Sequence, residues 1–177
     1  MVKNKLIPVL LGGVVLLGAG AFFLVANPLN ASSTSEAVVV NPAMAKPGQP
    51  FRFAPHNPEI VALGKTVYLD QCAACHGVNL EGQVGWQDQR VDGMRLAPPH
   101  DETGHTWHHA DELLFLLTKN GINSMLSKPY PNNMPVYQDI LTDEEIFAAL
   151  SYIKSQWAPE VQRIHDDINA NYDLNKH

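Results

Sequence analysis

Four regimes of polar and apolar positions follow one another along this chain. Residues 6–26 hold no charged side chain over 21 positions, with Lys3 and Lys5 just ahead of the run and Asn27-Pro28 just after it. That length matches the roughly 20 apolar residues a helix needs to cross a bilayer, and Pro8 falls in the first turn, where a missing N–H does little harm. A cleaved signal peptide shares the basic start but has a shorter apolar core and a small-residue cleavage site. Here Ala19-Gly20-Ala21 lies inside the run and Leu29-Asn30-Ala31 is a poor site, so the pattern predicts a retained transmembrane anchor over residues 1–30. Lys3 and Lys5 hold the N-terminus in the cytoplasm and no lysine or arginine recurs until Lys46. Anchor and signal peptide thus give the same orientation, a single pass through the cytoplasmic (inner) membrane with the bulk of the chain in the periplasm.

Residues 31–56 are rich in Ser, Ala and Pro and read as a linker, either a leash or a segment wrapped on a domain surface. Helical spacing begins at Asn57, an N-cap residue followed by Pro58 at the first helical position, with Ile60, Leu63, Gly64, Val67 and Gln71 on one face. From residue 77 to about 105 the period is lost among glycines and prolines; so long a loop in a compact domain calls for a reason. A second helix is expected from about His109 to Asn120, with acids in its first turn and Gly121 just past its end. A third begins at Thr142-Asp143-Glu144-Glu145, a capping box, and carries Ile146, Phe147, Leu150, Ile153 and Trp157 as its stripe. Val161, Ile164 and Ile168 predict a last amphipathic piece, with the polar tail fraying from Asn169. The reading is all-α, with a domain over residues 57–158 and an extension over 159–177.

Charge narrows the partners. Beyond Lys3 and Lys5, ten basic residues face 18 acidic ones, so the exported part carries a formal charge of about −8. Nucleic acid is excluded as a partner; the acidity either serves docking, which then needs a basic patch on the other protein, or serves solubility alone.

The chemistry is concentrated in Cys72-Ala73-Ala74-Cys75-His76, the c-type haem attachment signature. Each thiol can form a thioether to a haem vinyl group, and the imidazole beside the second reaches the iron. A thiolate zinc site needs more sulfur than two cysteines give, which leaves a mixed His/Cys site as the alternative. A redox dithiol wants a strand–helix context, and the residues upstream read as a helix. Gly104-His105-Thr106-Trp107-His108-His109 adds three histidines in five residues. That density invites copper or zinc, with His100 and methionines nearby, although His108 and His109 point different ways on any regular element. One of these imidazoles could instead take the sixth iron site; packing at a haem edge with hydrogen bonds to propionates is the reading preferred.

With this order of N-helix, CAACH, loop, helix, Met loop and C-terminal helix, residues 57–158 resemble the small monohaem class I c-type cytochromes. The resemblance implies an all-α class I cytochrome c fold, three to five helices around one covalently attached haem c, acting as an electron carrier and not an enzyme, with no small-molecule substrate. It implies a methionine as sixth ligand. Met134 in Asn132-Asn133-Met134-Pro135 lies 58 residues beyond His76 and eight before Thr142, and Met125 is the nearest competitor. It also implies that the Pro98 carbonyl in Leu96-Ala97-Pro98-Pro99 accepts a hydrogen bond from His76, that Gly64 admits an aromatic of the last helix, for which Tyr152 is the candidate, and that Arg90, Arg95 and Trp107 are available to propionates. Partners are then respiratory or photosynthetic redox complexes. The competing readings are a fixed subunit of a larger oxidoreductase, a copper-handling or sensing protein using the histidine cluster, and a haem peroxidase.

Overall fold

The computed structural model describes residues 49–88 and 92–175. The anchor expected over residues 1–30, the linker up to residue 48 and Arg90 lie outside the described residues. Among the described residues no helix is long and apolar enough to cross a membrane, and no β-strand occurs. Five α-helices follow in order: α1 (Pro58–Gln71), α2 (Ala73–His76), α3 (Asp111–Asn120), α4 (Asp143–Ser155) and α5 (Pro159–Leu174), with 3₁₀ turns at Thr106–His108 and Ile122–Ser124.

Local chemistry starts the two long core helices where their caps predict. Asn57 Oδ1 accepts from the N–H groups of Glu59 and Ile60 at 3.0 and 3.2 Å. Thr142 Oγ1 accepts from Glu145 N at 3.2 Å while Glu145 Oε2 accepts from Thr142 N at 2.8 Å, closing the capping box. The most extensive helix contact is α1 on α4, and it is close because Gly64 faces the Ala148 backbone. Ile60, Val67 and Tyr68 of α1 are buried, and Ile146 to Ile153 of α4 are buried on every side of that helix.

The core also takes in part of the segment that the sequence assigns to the linker. Phe51 and Phe53 pack with Phe115 and Phe147 at ring separations of 5.2 to 5.8 Å. Edge-to-face aromatic pairs of this kind add stability beyond their buried area.

The C-terminal extension departs from its expected form in two ways. Helix α5 does not fray at Asn169 but continues to Leu174, and its inward face is mixed: Val161 packs against the core as expected, but His165 and Asn169 are 0% and 1% exposed, whereas Ile164 is 40% exposed. The reason is a set of buried partners. Asn169 Oδ1 accepts from Asp111 N at 2.7 Å, supplying from another helix the acceptor that Ala110 cannot give at the start of α3. That also explains why α3 begins at Asp111 and not at His109. Asp111 Oδ2 accepts from Phe53 N at 3.0 Å and lies 3.6 Å from Lys154 Nζ, which bonds Asp166 at 2.7 Å. His165 Nε2 donates to the His109 carbonyl at 2.8 Å, with Asp111 Oδ1 at 3.4 Å.

Burial pushes His165 below its ordinary value near 6.5; Lys154 adds to that, while Asp111, the His109 carbonyl and Asp166 oppose it. A depressed imidazole favours folding while neutral, so its contribution is complete above pH ~6.5 and drains away as pH falls below that. The urea midpoint is therefore expected to drop from about pH 7 to about pH 5, and the drop to be smaller in His165→Gln, as read by fluorescence unfolding at both pH values.

Candidate functional site

The break between α1 and α2 positions the CAACH run. Cys72 ends α1 as its cap, with its N–H donating to the Tyr68 carbonyl at 2.9 Å, and α2 then holds Ala73 to His76 in a single turn that stops at Gly77 with φ of 83°. Two buried tyrosines fasten this corner from outside the motif. Tyr68 OH donates to the Gly77 carbonyl at 2.8 Å, and Tyr137 OH donates to the Gln71 carbonyl at 2.9 Å. Burial is the main cause that raises both phenols, Tyr137 to about 12, so each stays a donor across the physiological range.

His76 is 8% exposed. Its Nδ1 lies 2.8 Å from the Pro98 carbonyl, and a carbonyl can only accept, so Nδ1 carries the proton and Nε2 keeps its lone pair for a metal. Burial depresses the His76 pKa, opposed by the Pro98 bond, which keeps the ring neutral as a ligand must be. Burial, then Cys75, pushes the Cys72 thiol up to about 11, while Cys75 is exposed. Two thiols beside a neutral, oriented imidazole fit covalent attachment of a haem with an axial nitrogen.

Met134 is half-buried and packs against the hydrophobic core, whereas Met125 is 46% exposed. The Met134 loop is built from three sides. Met134 N donates to Asn132 Oδ1 at 3.0 Å, Gln138 N caps the Lys119 carbonyl at the end of α3 at 2.9 Å, and Tyr137 reaches the residue ahead of Cys72. The loop therefore belongs to the same corner of the fold as the cysteines.

The remaining residues singled out in the sequence have other partners. Arg95 donates from its backbone to Pro131 at 2.9 Å, holds Nη1 3.4 Å from the Gln87 carbonyl and lies over Tyr130. Trp107 stacks on His108 at 3.6 Å and donates its indole N–H to Glu102 at 3.3 Å. His105 stacks on Trp86 at 5.5 Å and meets His109 edge-on at 5.5 Å. Burial, with repulsion from neighbouring imidazoles, lowers His105 and His109. Among the described residues no group of three His, Cys, Asp or Glu side chains could hold a metal ion.

Sequence reasoning passed over His100, which it weighed only as a possible metal ligand. Its ring stacks on His76 with centroids 4.0 Å apart and planes 19° from parallel. Burial holds its pKa well below the ordinary value, with His76 and His105 adding repulsion. The available signal was its place in the sequence, two residues after Pro98.

A family model described as Cytochrome c matches residues 61–157, more than half of the chain. No curated protein and no solved structure matches it.

Proposed function

Because the chain belongs to the cytochrome c family and carries one covalently attached haem c, we propose that this electron-transfer protein is a one-electron carrier in which Cys72 and Cys75 hold the haem and His76 and Met134 ligate its iron. When bound, the haem supplies the ferric–ferrous couple. The residues around it have separate tasks. Pro98 fixes the tautomer and direction of His76 and raises its basicity. The Met134 thioether favours the ferrous state, raising the potential relative to a second imidazole, and fills the position that oxygen or peroxide would need. Tyr68 and Tyr137 lock the backbone around the attachment run, so that little rearranges when one electron arrives or leaves.

The observation that carries this reading is the convergence at one corner: His76 on the Pro98 carbonyl, and the Met134 loop fastened through Tyr137 to the residue ahead of Cys72. The uncharged run at residues 6–26 behind Lys3 and Lys5 supports tethering at the periplasmic face of the cytoplasmic membrane. Exposed Met125, Leu126, Tyr130, Val136 and Ile140 give the Met134 segment an apolar surface suited to brief docking on respiratory or photosynthetic complexes.

Met134→His tests the ligation. The ferric wild type is expected to show a sulfur-to-iron charge-transfer band that vanishes in the variant, and the potential is expected to fall by an appreciable part of the roughly 0.8 V that axial ligands span. Optical spectra of both redox states and a potentiometric titration read both effects. A band that survives the substitution, or that the wild type lacks, overturns Met134 as ligand.

A further inference from the structure

One hydrogen bond, from Nδ1 to the Pro98 carbonyl, holds the edge of the His76 ring. Such a bond tolerates a wide range of angles, so the tilt of the imidazole plane also depends on what packs against its face. The angle of an axial imidazole plane about the iron–nitrogen bond decides which iron d-orbital it donates into, and so shapes the ferric electronic state.

We propose that His100 is the positioning residue for His76: its imidazole, stacked flat on the ligand ring and pinned by Thr106, sets the rotational angle of that ligand about the iron bond. The proposal rests on the reading of His76 as an iron ligand. At 4.0 Å between centroids and 19° between planes, the two rings are in van der Waals contact, and the His76 ring cannot turn without pushing His100 aside. His100 is itself held at several points. Its Nδ1 and Thr106 Oγ1 are 2.7 Å apart, its N–H donates to the Leu80 carbonyl at 2.7 Å, and its carbonyl accepts from Trp157 Nε1 at 2.7 Å. Tyr68 meets its ring edge-on at 6.4 Å. Thr106 is 5% exposed and sits in the 3₁₀ turn Thr106–His108, against which α5 packs. A leucine at position 100 would fill similar space, but it has no flat face to match the ligand and no nitrogen for Thr106 to fix.

The test compares holoprotein carrying His100→Leu or Thr106→Val with wild type, the second variant removing one hydroxyl from a side chain of nearly unchanged shape. Ferric electron paramagnetic resonance and the paramagnetically shifted haem methyl resonances report the ligand plane, and the optical spectra confirm that ligation is kept. Both variants are expected to retain the wild-type ligation bands while the largest g value and the spread of methyl shifts move, further in His100→Leu than in Thr106→Val and in the same direction. Thr106→Val with ferric spectra identical to wild type overturns the proposal, whether or not His100→Leu folds. A wild-type ferric protein with no low-spin signature overturns the ligation reading instead, and the proposal with it.

Discussion

Asp111→Ala is expected to lower the unfolding free energy by about 3–5 kcal/mol, the usual cost of removing one partner from a buried ion pair. Asp111 is 0% exposed and Lys154 3% exposed. With the carboxylate gone, Lys154 is left, among the described residues, with its ion pair to Asp166, a side chain 60% exposed, and Phe53 N loses its acceptor. The penalty is that of a stranded buried cation and a stranded N–H, not the intrinsic worth of the contact. Asp111→Asn is expected to lose less, because an amide oxygen can still accept from Phe53 N while only the charge is removed. Urea unfolding followed by fluorescence measures both. The loss should be regional: the network joins residue 53 to α3, α4 and α5, so amide exchange should speed up along α5 ahead of the α1–α4 pair. A loss below about 1 kcal/mol in Asp111→Ala would mean that the carboxylate does not organise this end of the molecule.

The helices that begin at Asn57 and Thr142 were legible in the sequence because their caps are local, made by residues two or three positions apart. The attachment run was legible for the same reason, its three chemical groups lying within five residues. What escaped notice depends on distant partners. Hydrophobic periodicity selects apolar residues, so it chose Val161, Ile164 and Ile168 for the inner face of α5; Val161 does pack against the core, but the most deeply buried side chains of that helix are His165 and Asn169. Those residues are tolerated inside because Asp111, 58 positions before Asn169, supplies the matching group. Phe51 and Phe53 form too short a segment to show any period, and their place in the core is set by Phe115 and Phe147. In the histidine-rich turn, composition invited metal or packing at a haem edge; what it could not give is that Trp86 and Trp107, the first of them 19 positions before His105, offer ring faces to His105 and His108.

Gly64→Ala is expected to cost more than the roughly 1–3 kcal/mol typical of overpacking, and Gly64→Val more again. A Cβ at position 64 would sit 1.9 Å from the Ala148 carbonyl oxygen and 2.9 Å from Tyr152 Cβ. A flexible side chain could swing away from such a contact, but the first of these atoms is backbone in the middle of α4. The helices must therefore separate, opening the largest interface in the domain. The functional damage follows from what α1 carries. Cys72 caps its C-terminal end, so moving α1 displaces the attachment run from Pro98 and strains the Tyr137 tie to Gln71 that anchors the Met134 loop. Thermal melts of the holoprotein should show a lowered midpoint, and the ferric charge-transfer band assigned above to Met134 should weaken at temperatures where helical circular dichroism is still intact. Because the obstruction is the Ala148 carbonyl and not its methyl group, Ala148→Gly should fail to rescue Gly64→Ala. Rescue by that second substitution, or a Gly64→Ala midpoint equal to wild type, would mean that α1 and α4 do not meet at Gly64.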